Sequence, residues 1–525
     1  MRRYGLFVII LLAGCGKGKF SGPTRHPRPY LVLPLSTRVT TLDPGKVKDV
    51  EMGGLLRNVF EGLVAYDDRN QLIPQLAESW RTENKGKTYV FTLRSGVKYH
   101  NGRPLEAADF KWSIERNLAP ALESTVALDY LSSIVGAKEY ADGKAKQVVG
   151  IQTPDPRTIK ITLDKPRPYF LGDLTYPCAF VMAKEAAGPT EIKTVAQAVG
   201  TGPYKLTLAN DQQELDLAAN TSYYNGVPFT AKIERPIVVD PATQLSMYRI
   251  GDLDQISLQR ADIASISADP QLKTQIQFQD RPALYYFQLN EHQYPPFRDV
   301  RIRQAFAMAI NRGKIVTDLL PGYVPAHGIL PPGLTGYREN LKGIPFDPQK
   351  AKALLQAAGY KDGSQLPPLE ISFRADAPDA RVAVTAVAQD LKDNLGIIAQ
   401  PHTYEFPTLL ELQHTGKLEM SFCDWYADYL DPQNFLSLLL MTGVPQNAEG
   451  YSNRKFDALC AKADVDQNPA ERLKLYQQAE DIAVAEVAKL PLYFQRDAVL
   501  MSPYVKGMRS NLFGDLPDNQ VKMLQ

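Results

Sequence analysis

The chain has 525 residues, with 59 lysines and arginines against 58 aspartates and glutamates, for a formal net charge of +1. That length exceeds what one hydrophobic core ordinarily serves, so two or three lobes are expected. The near-zero charge and the lack of any long basic run exclude nucleic acid as a partner.

At the start of the chain, Arg2 and Arg3 precede an apolar run from Leu6 to Ala13 that is too short to span a bilayer and has the form of a secretory signal. The run ends in Leu12-Ala13-Gly14-Cys15, which resembles the lipobox of bacterial lipoproteins. The resemblance implies a signal peptide over 1–14, cleavage before Cys15 and a diacylglyceryl group on the Cys15 thiol. Such acyl chains tether a protein to a membrane surface without a spanning helix. Residues 15–29 are rich in Gly, Lys and Pro and carry no apolar period, the composition of a flexible tether. Folded structure is expected from about Tyr30. Beyond Cys15 only Cys178, Cys423 and Cys460 remain, an odd set that allows one disulfide with one thiol left over.

Apolar residues alternate at Tyr89, Phe91 and Leu93 and again at Ile159, Ile161 and Leu163, which predicts half-buried strands. A new compact unit is expected near Ala283. Helix signals strengthen in the second half. Asp347 before Pro348 supplies an N-cap and a first-turn proline, Ala351, Leu354 and Leu355 share a face, and Gly359 stands where a helix stops. Val382 to Leu395 predicts a helix closed by Gly396. Asn468-Pro469-Ala470-Glu471 resembles a capping box and opens a longer helix limited by Pro491. Strands mixed with helices in both halves indicate an α/β or α+β protein.

Enzyme signatures are scarce: the chain has no G-x-S-x-G elbow, no phosphate-binding G-x-x-x-x-G-K-[ST] loop and no H-E-x-x-H zinc helix. Its six histidines are scattered, with no pair spaced to preassemble a metal site. Asp252 and Asp254 are expected at solvated turn positions. The most informative stretch is Trp425-Tyr426-Ala427-Asp428-Tyr429-Leu430-Asp431-Pro432, which sets two carboxylates among three large aromatic rings. Aromatic walls lower the local dielectric, so a carboxylate held against them attracts a cation such as a ligand ammonium strongly. A turn closed by Asp431-Pro432 with its rings in the core explains the same residues.

Several short stretches, in order, resemble the extracytoplasmic peptide-binding proteins of bacterial ABC importers, the solute-binding family 5 that includes oligopeptide- and dipeptide-binding proteins. They include Thr41-Leu42-Asp43-Pro44, Val59-Phe60-Glu61-Gly62-Leu63, Leu76-Ala77-Glu78-Ser79-Trp80, Asn101-Gly102-Arg103-Pro104-Leu105, Thr201-Gly202-Pro203-Tyr204 and Asp299-Val300-Arg301 with Arg303-Gln304-Ala305. The resemblance implies an α/β, periplasmic-binding-protein-like two-lobed fold (type II, cluster C) with an additional domain inserted in the first lobe. On that pattern lobe I combines 30–52, 170–280 and 490–525, the inserted domain is 53–169, and lobe II is 281–489.

It also implies that the lobes close on a short peptide held by main-chain bonds like an added strand, at Lys48-Asp49-Val50 on one side and Asp424-Trp425-Tyr426 on the other. Asp428 matches the family aspartate that pairs with the ligand ammonium. Trp425 and Tyr426 are expected as walls, and Tyr429 as wall or core. Positions that seat basic side chains in oligopeptide-binding relatives hold Gln413 and Phe422 here, whereas dipeptide-binding relatives use an arginine in the region matched by Ile371-Ser372-Phe373-Arg374, so the resemblance implies Arg374, with Arg381 behind it, as the candidate for the ligand carboxylate. A surface ion pair explains either arginine equally well. The implied protein is a monomeric, non-catalytic lipoprotein of the periplasmic or extracytoplasmic space. It needs no cofactor and hands its cargo to a membrane permease and ATPase. Departure from the basic set keeps other cargoes in view (a sugar, an opine-like compound or a metal chelate), as well as a surface interaction or chaperone role.

Overall fold

The structure, a computed structural model, describes residues 28–210 and 213–524. The expected signal peptide, Cys15 and the tether as far as residue 27 lie outside them. No helix among the described residues is long and apolar enough to cross a membrane.

Near the start, Leu31–Val32 pairs in parallel with Lys232–Pro236, which continues antiparallel through Glu214–Ala219 to Tyr204–Asn210. A second, antiparallel sheet runs Ala77–Glu83, Thr88–Leu93, Thr158–Thr162, Ile151–Asp155. Both alternating patterns predicted for this region fall in it, with Tyr89, Phe91, Ile159 and Ile161 directed into one core. The helix Ala107–Leu118 packs there through Phe110, Ile114 and Leu118, spaced four apart on one face. Burying each such side chain contributes roughly 1.5–3 kcal/mol. The motif Thr41 to Pro44 is tied to this helix by a fully buried pair: Arg116 Nη1 donates to Asp43 Oδ1 at 2.8 Å, and Asp43 Oδ2 accepts from Ile192 N at 2.8 Å.

The largest sheet takes Gln255–Ser257, Leu490–Met501, Ile276–Leu289, Met420–Tyr426, Leu369–Arg374 and Ala399–Tyr404 in that order. Its two long central strands, Ile276–Leu289 and Leu490–Met501, run antiparallel and link the Gln255 edge to the Met420 side. The ladder slips between Asp280 and Leu284, where Pro282 has no N–H to give. Ion pairs Arg281–Asp497 at 2.6 Å and Arg496–Asp280 at 2.7 Å hold the strands at that slip. Ala283 lies inside the strand beside it.

Three predicted helices form. Pro348–Ala357 is capped by Asp347, whose Oδ1 accepts from Lys350 N at 3.0 Å, and Gly359 takes a positive φ of 99° just past its end. Pro469–Ala485 starts on Asn468, whose side chain alone accepts from Ala470 N and Glu471 N. The third begins one turn earlier than predicted, at Pro378, and ends at Leu395 before Gly396. Two expectations are corrected. Cys178, Cys423 and Cys460 are all free and buried, so no disulfide forms among the described residues: Cys178 packs in the core of the antiparallel sheet, while Cys423 accepts from Gln413 Nε2 at 2.9 Å. Asp254 is not solvated but fully buried, because its Oδ2 accepts from Val32 N at 2.8 Å.

Candidate functional site

The Trp425 to Pro432 run leaves the large sheet at the end of Met420–Tyr426. Ala427 N extends the ladder to Pro282 O at 2.8 Å, and the chain then turns. Asp431 makes that turn. Its Oδ1 accepts from Gln433 N at 2.9 Å at the head of the short helical turn Pro432–Asn434, and both carboxylate oxygens take the Arg472 guanidinium at 2.6 Å. Its charge is thereby matched.

Asp428, three positions earlier, has no basic partner among the described residues. Its Oδ2 accepts from Asn434 Nδ2 at 3.1 Å and its Oδ1 from the Tyr130 hydroxyl at 3.2 Å, both neutral donors. Asn434 Oδ1 in turn accepts from Asp428 N at 3.2 Å and from Trp425 Nε1 at 2.9 Å, so one buried amide fixes the carboxylate and the indole together. Burial pushes the Asp428 carboxyl above the usual range, the two hydrogen bonds pull it down, and nearby Asp129 pushes it up. A cation would discharge this arrangement.

Facing it is the segment Val47 to Val50. Asp49 caps the helix Val50–Leu56, accepting from Met52 N at 2.8 Å and from Thr40 Oγ1 at 3.1 Å, which commits its side chain to structure. Lys48 and Val50 are exposed, Val50 by 59%. The Tyr176 hydroxyl donates to Val47 O at 3.0 Å, and Tyr176 stacks on Tyr130 with ring centroids 3.8 Å apart. Tyr130 then reaches Asp428, so the two rings join this segment to the Asp428 turn.

Two cavities meet at Asp428. One, of about 450 Å³, brings together Lys48, Asp49, Val50, Tyr426 and Asp428, with Arg57 and Arg281 also in its wall. Arg281 is spent on Asp497, whereas Arg57 has no carboxylate or hydrogen-bond acceptor among the described residues, and burial lowers its pKa. The other cavity, of about 430 Å³, is lined by Trp425, Asp428, Tyr429 and Tyr130 together with Asp129 and Asp173. Tyr429 is both wall and core: it is only 8% exposed, its hydroxyl donates to Gln433 Oε1, and it stacks on Tyr169 at 5.3 Å.

Asp424 and Arg374 line neither cavity. Asp424 sits across from Tyr285 on the sheet and feels the positive charge of Arg374. Arg374 donates to Asp376 at 3.0 and 2.9 Å and lies over the Phe406 ring at 4.2 Å. Residues that sequence reasoning missed are Tyr130, Tyr176, Arg57, Asp173 and Asn434. Of these only Asn434 carries a local signal, an amide just past the Asp431-Pro432 turn.

No group of His, Cys, Asp and Glu among the described residues is arranged to hold a metal ion. Among the described residues the site offers carboxylates without a basic partner at Asp428 and Asp173, an unmatched guanidinium at Arg57 and aromatic faces around open volume.

Comparison with known proteins agrees with that architecture. The dipeptide-binding protein DppE of Bacillus subtilis is 30% identical over 470 residues, 86% of this chain and 84% of the relative. The murein tripeptide-binding protein MppA, in its unliganded open form, superposes with a TM-score of 0.83 at 26% identity, covering 96% of this chain and 99% of that one. A second structure of MppA, from Escherichia coli, gives 0.72 at 26% identity over 94% and 98%. The profile of the bacterial extracellular solute-binding proteins, family 5 (middle region), matches residues 71–446. The chain therefore belongs to the family 5 bacterial extracellular solute-binding proteins, with their two-lobed α/β fold and added domain.

Proposed function

We propose that the protein is the peptide-binding component of an ABC importer, capturing short peptides with a free amino terminus between its lobes and passing them to a membrane permease. The observation that carries this reading is Asp428. It is a half-buried carboxylate without a basic partner among the described residues, held by neutral donors at the junction of two cavities, and a ligand ammonium completes it. Lys48 to Val50 and Asp424 to Tyr426 offer main chain along the cleft, and Trp425, Tyr426 and Tyr429 supply its aromatic surface. Arg57 suits the ligand carboxylate better than Arg374, since Arg374 is already paired with Asp376 outside the cavities.

The greater similarity to the open form of MppA supports reading this conformation as the open one. Closure would bring the binding surfaces of both lobes onto the ligand. On this reading the lobes and inserted domain divide as the family pattern implies (30–52 with 170–280 and 490–525; 53–169; 281–489), and Cys15 carries the lipid anchor of a monomeric extracytoplasmic lipoprotein.

The test is direct. Protein purified with its natural cargo is analysed by native mass spectrometry, then stripped by mild denaturation, refolded and screened by thermal shift against pools of short peptides. A co-purified peptide, or stabilisation by free-amine peptides, is the expected result. A non-peptidic cargo with no response to any pool would refute the proposal.

A further inference from the structure

Asp173 is a buried carboxyl group with no hydrogen-bond or ion-pair partner among the described residues. It ends the short helix Phe170–Asp173, is only 6% exposed, and its carboxylate makes no hydrogen bond or ion pair with any described residue. Instead it faces the 430 Å³ cavity on the far side of Asp428. Gly172 sets it there: a Cβ at that position would stand 2.8 Å from Tyr429 Cβ, so only glycine lets this backbone approach the Asp428 turn so closely. Arg167, in the same wall, is already taken, donating to Asp164 Oδ1 at 3.2 Å, to Asp164 Oδ2 at 3.1 Å and to the Tyr169 hydroxyl at 3.0 Å. The walls also include the stacked Tyr169 and Tyr429 rings and the Trp425 indole, alongside polar side chains such as Ser133 and Gln433.

A buried carboxylate is costly until it is paired, and aromatic faces add attraction for a cation. A carboxyl among aromatic faces suits an organic cation, and no group of His, Cys, Asp and Glu among the described residues is arranged to hold a metal ion. We propose that this cavity is a side-chain subsite for a basic first residue of the ligand, an ammonium or guanidinium on an aliphatic stem. The ligand's α-ammonium meets Asp428 at one edge of the cavity and its side-chain cation meets Asp173 inside. This rests on the peptide reading above. The first residue is the one concerned because Asp428 belongs to both cavities, so the side chain nearest the bound amino group is the one that enters. Burial pushes the Asp173 carboxyl well up, the Arg167 charge pulls it partly back and the Asp428 and Asp431 charges push it up again, and an incoming cation would take the place of the proton that this favours.

The test is calorimetric titration of the stripped, full-length protein with Lys-Ala-Ala and with norleucine-Ala-Ala, which has a similar aliphatic stem without the ammonium. The lysine peptide is expected to bind about tenfold tighter or better, and Asp173→Asn should bring the two peptides to about equal affinity. Equal affinities in the unmodified protein overturn the subsite while leaving peptide binding intact, and this comparison needs no variant to fold. If neither peptide binds, cadaverine separates the two claims. Binding of cadaverine that Asp173→Asn abolishes supports the cation pocket and refutes the peptide reading, whereas no binding by any of the three probes refutes both.

Discussion

Asp428 and Asp431 stand three residues apart in one aromatic turn, yet they answer different demands. Asp431 is saturated, gripping Arg472 through both oxygens and capping the following turn. Asp428 is held by an amide and a phenol that position it without neutralising it. A matched carboxylate close to its backbone serves the fold. On the proposed reading, one oriented by neutral donors and open to a cavity waits for a ligand cation, at a standing cost to stability. The turn stays rigid while one of its carboxylates has no basic partner among the described residues, because Asp431, Gln433 and Asn434 hold the frame.

Breaking the matched side of the pair should have the largest effect. Asp431→Ala or Arg472→Ala leaves a charge buried without its partner and is expected to cost about 3–5 kcal/mol in denaturant unfolding, with little change in affinity for the fraction that folds. Asn434→Ala should sit between the two classes. It removes the amide that joins Trp425, the Asp428 main chain and the Asp428 carboxylate, and should lower stability by about 1–3 kcal/mol while also weakening peptide binding. Trp425→Phe loses only the bond from Nε1, about 1 kcal/mol, and keeps most of the aromatic wall.

The smallest effect on the empty protein is expected from Asp428→Asn, which should leave unfolding at neutral pH unchanged or slightly improved. The sign follows from burial, which raises the folded pKa of Asp428 above its unfolded value. The stabilisation from its proton is therefore fully present below the unfolded value and disappears as pH rises through the folded one. Unfolding measured across a pH series should show that component in the unmodified protein and lack it in Asp428→Asn. An equal loss of stability from Asp428→Asn and Asp431→Ala would erase the distinction.

Much of the fold was legible in local pattern. Asp347 with Pro348, Gly359 and Gly396 marked helix ends because capping is a short-range chemical choice, and Ile159 with Ile161 marked a half-buried strand; Tyr89 with Phe91 marked a strand too, but one buried on both faces, since Thr88 and Val90 are buried as well. The helix at Pro378 was read late because Asp379 and Arg381 in its first turn carry no apolar signal. Asp254 was misplaced for a related reason, since its partner, Val32 N, lies 222 residues away. The site divided along the same line. The turn and its two carboxylates were readable from eight consecutive residues, and the ordered resemblance separated their roles. Tyr130, Arg57 and Asp173 come from segments that only the tertiary fold brings to Asp428, and nothing in their own neighbourhoods announces it. Arg374 rests on the resemblance to the arginine of dipeptide-binding relatives, and in the structure it is engaged with Asp376.

The central claim is that Asp428 receives a ligand ammonium, and calorimetric titration of the unmodified protein and Asp428→Asn with one peptide in free and N-acetylated form tests it most directly. The account predicts that the unmodified protein prefers the free amine, and that Asp428→Asn loses about 2–5 kcal/mol of binding for that form and little for the acetylated one. Equal losses for both forms would contradict it.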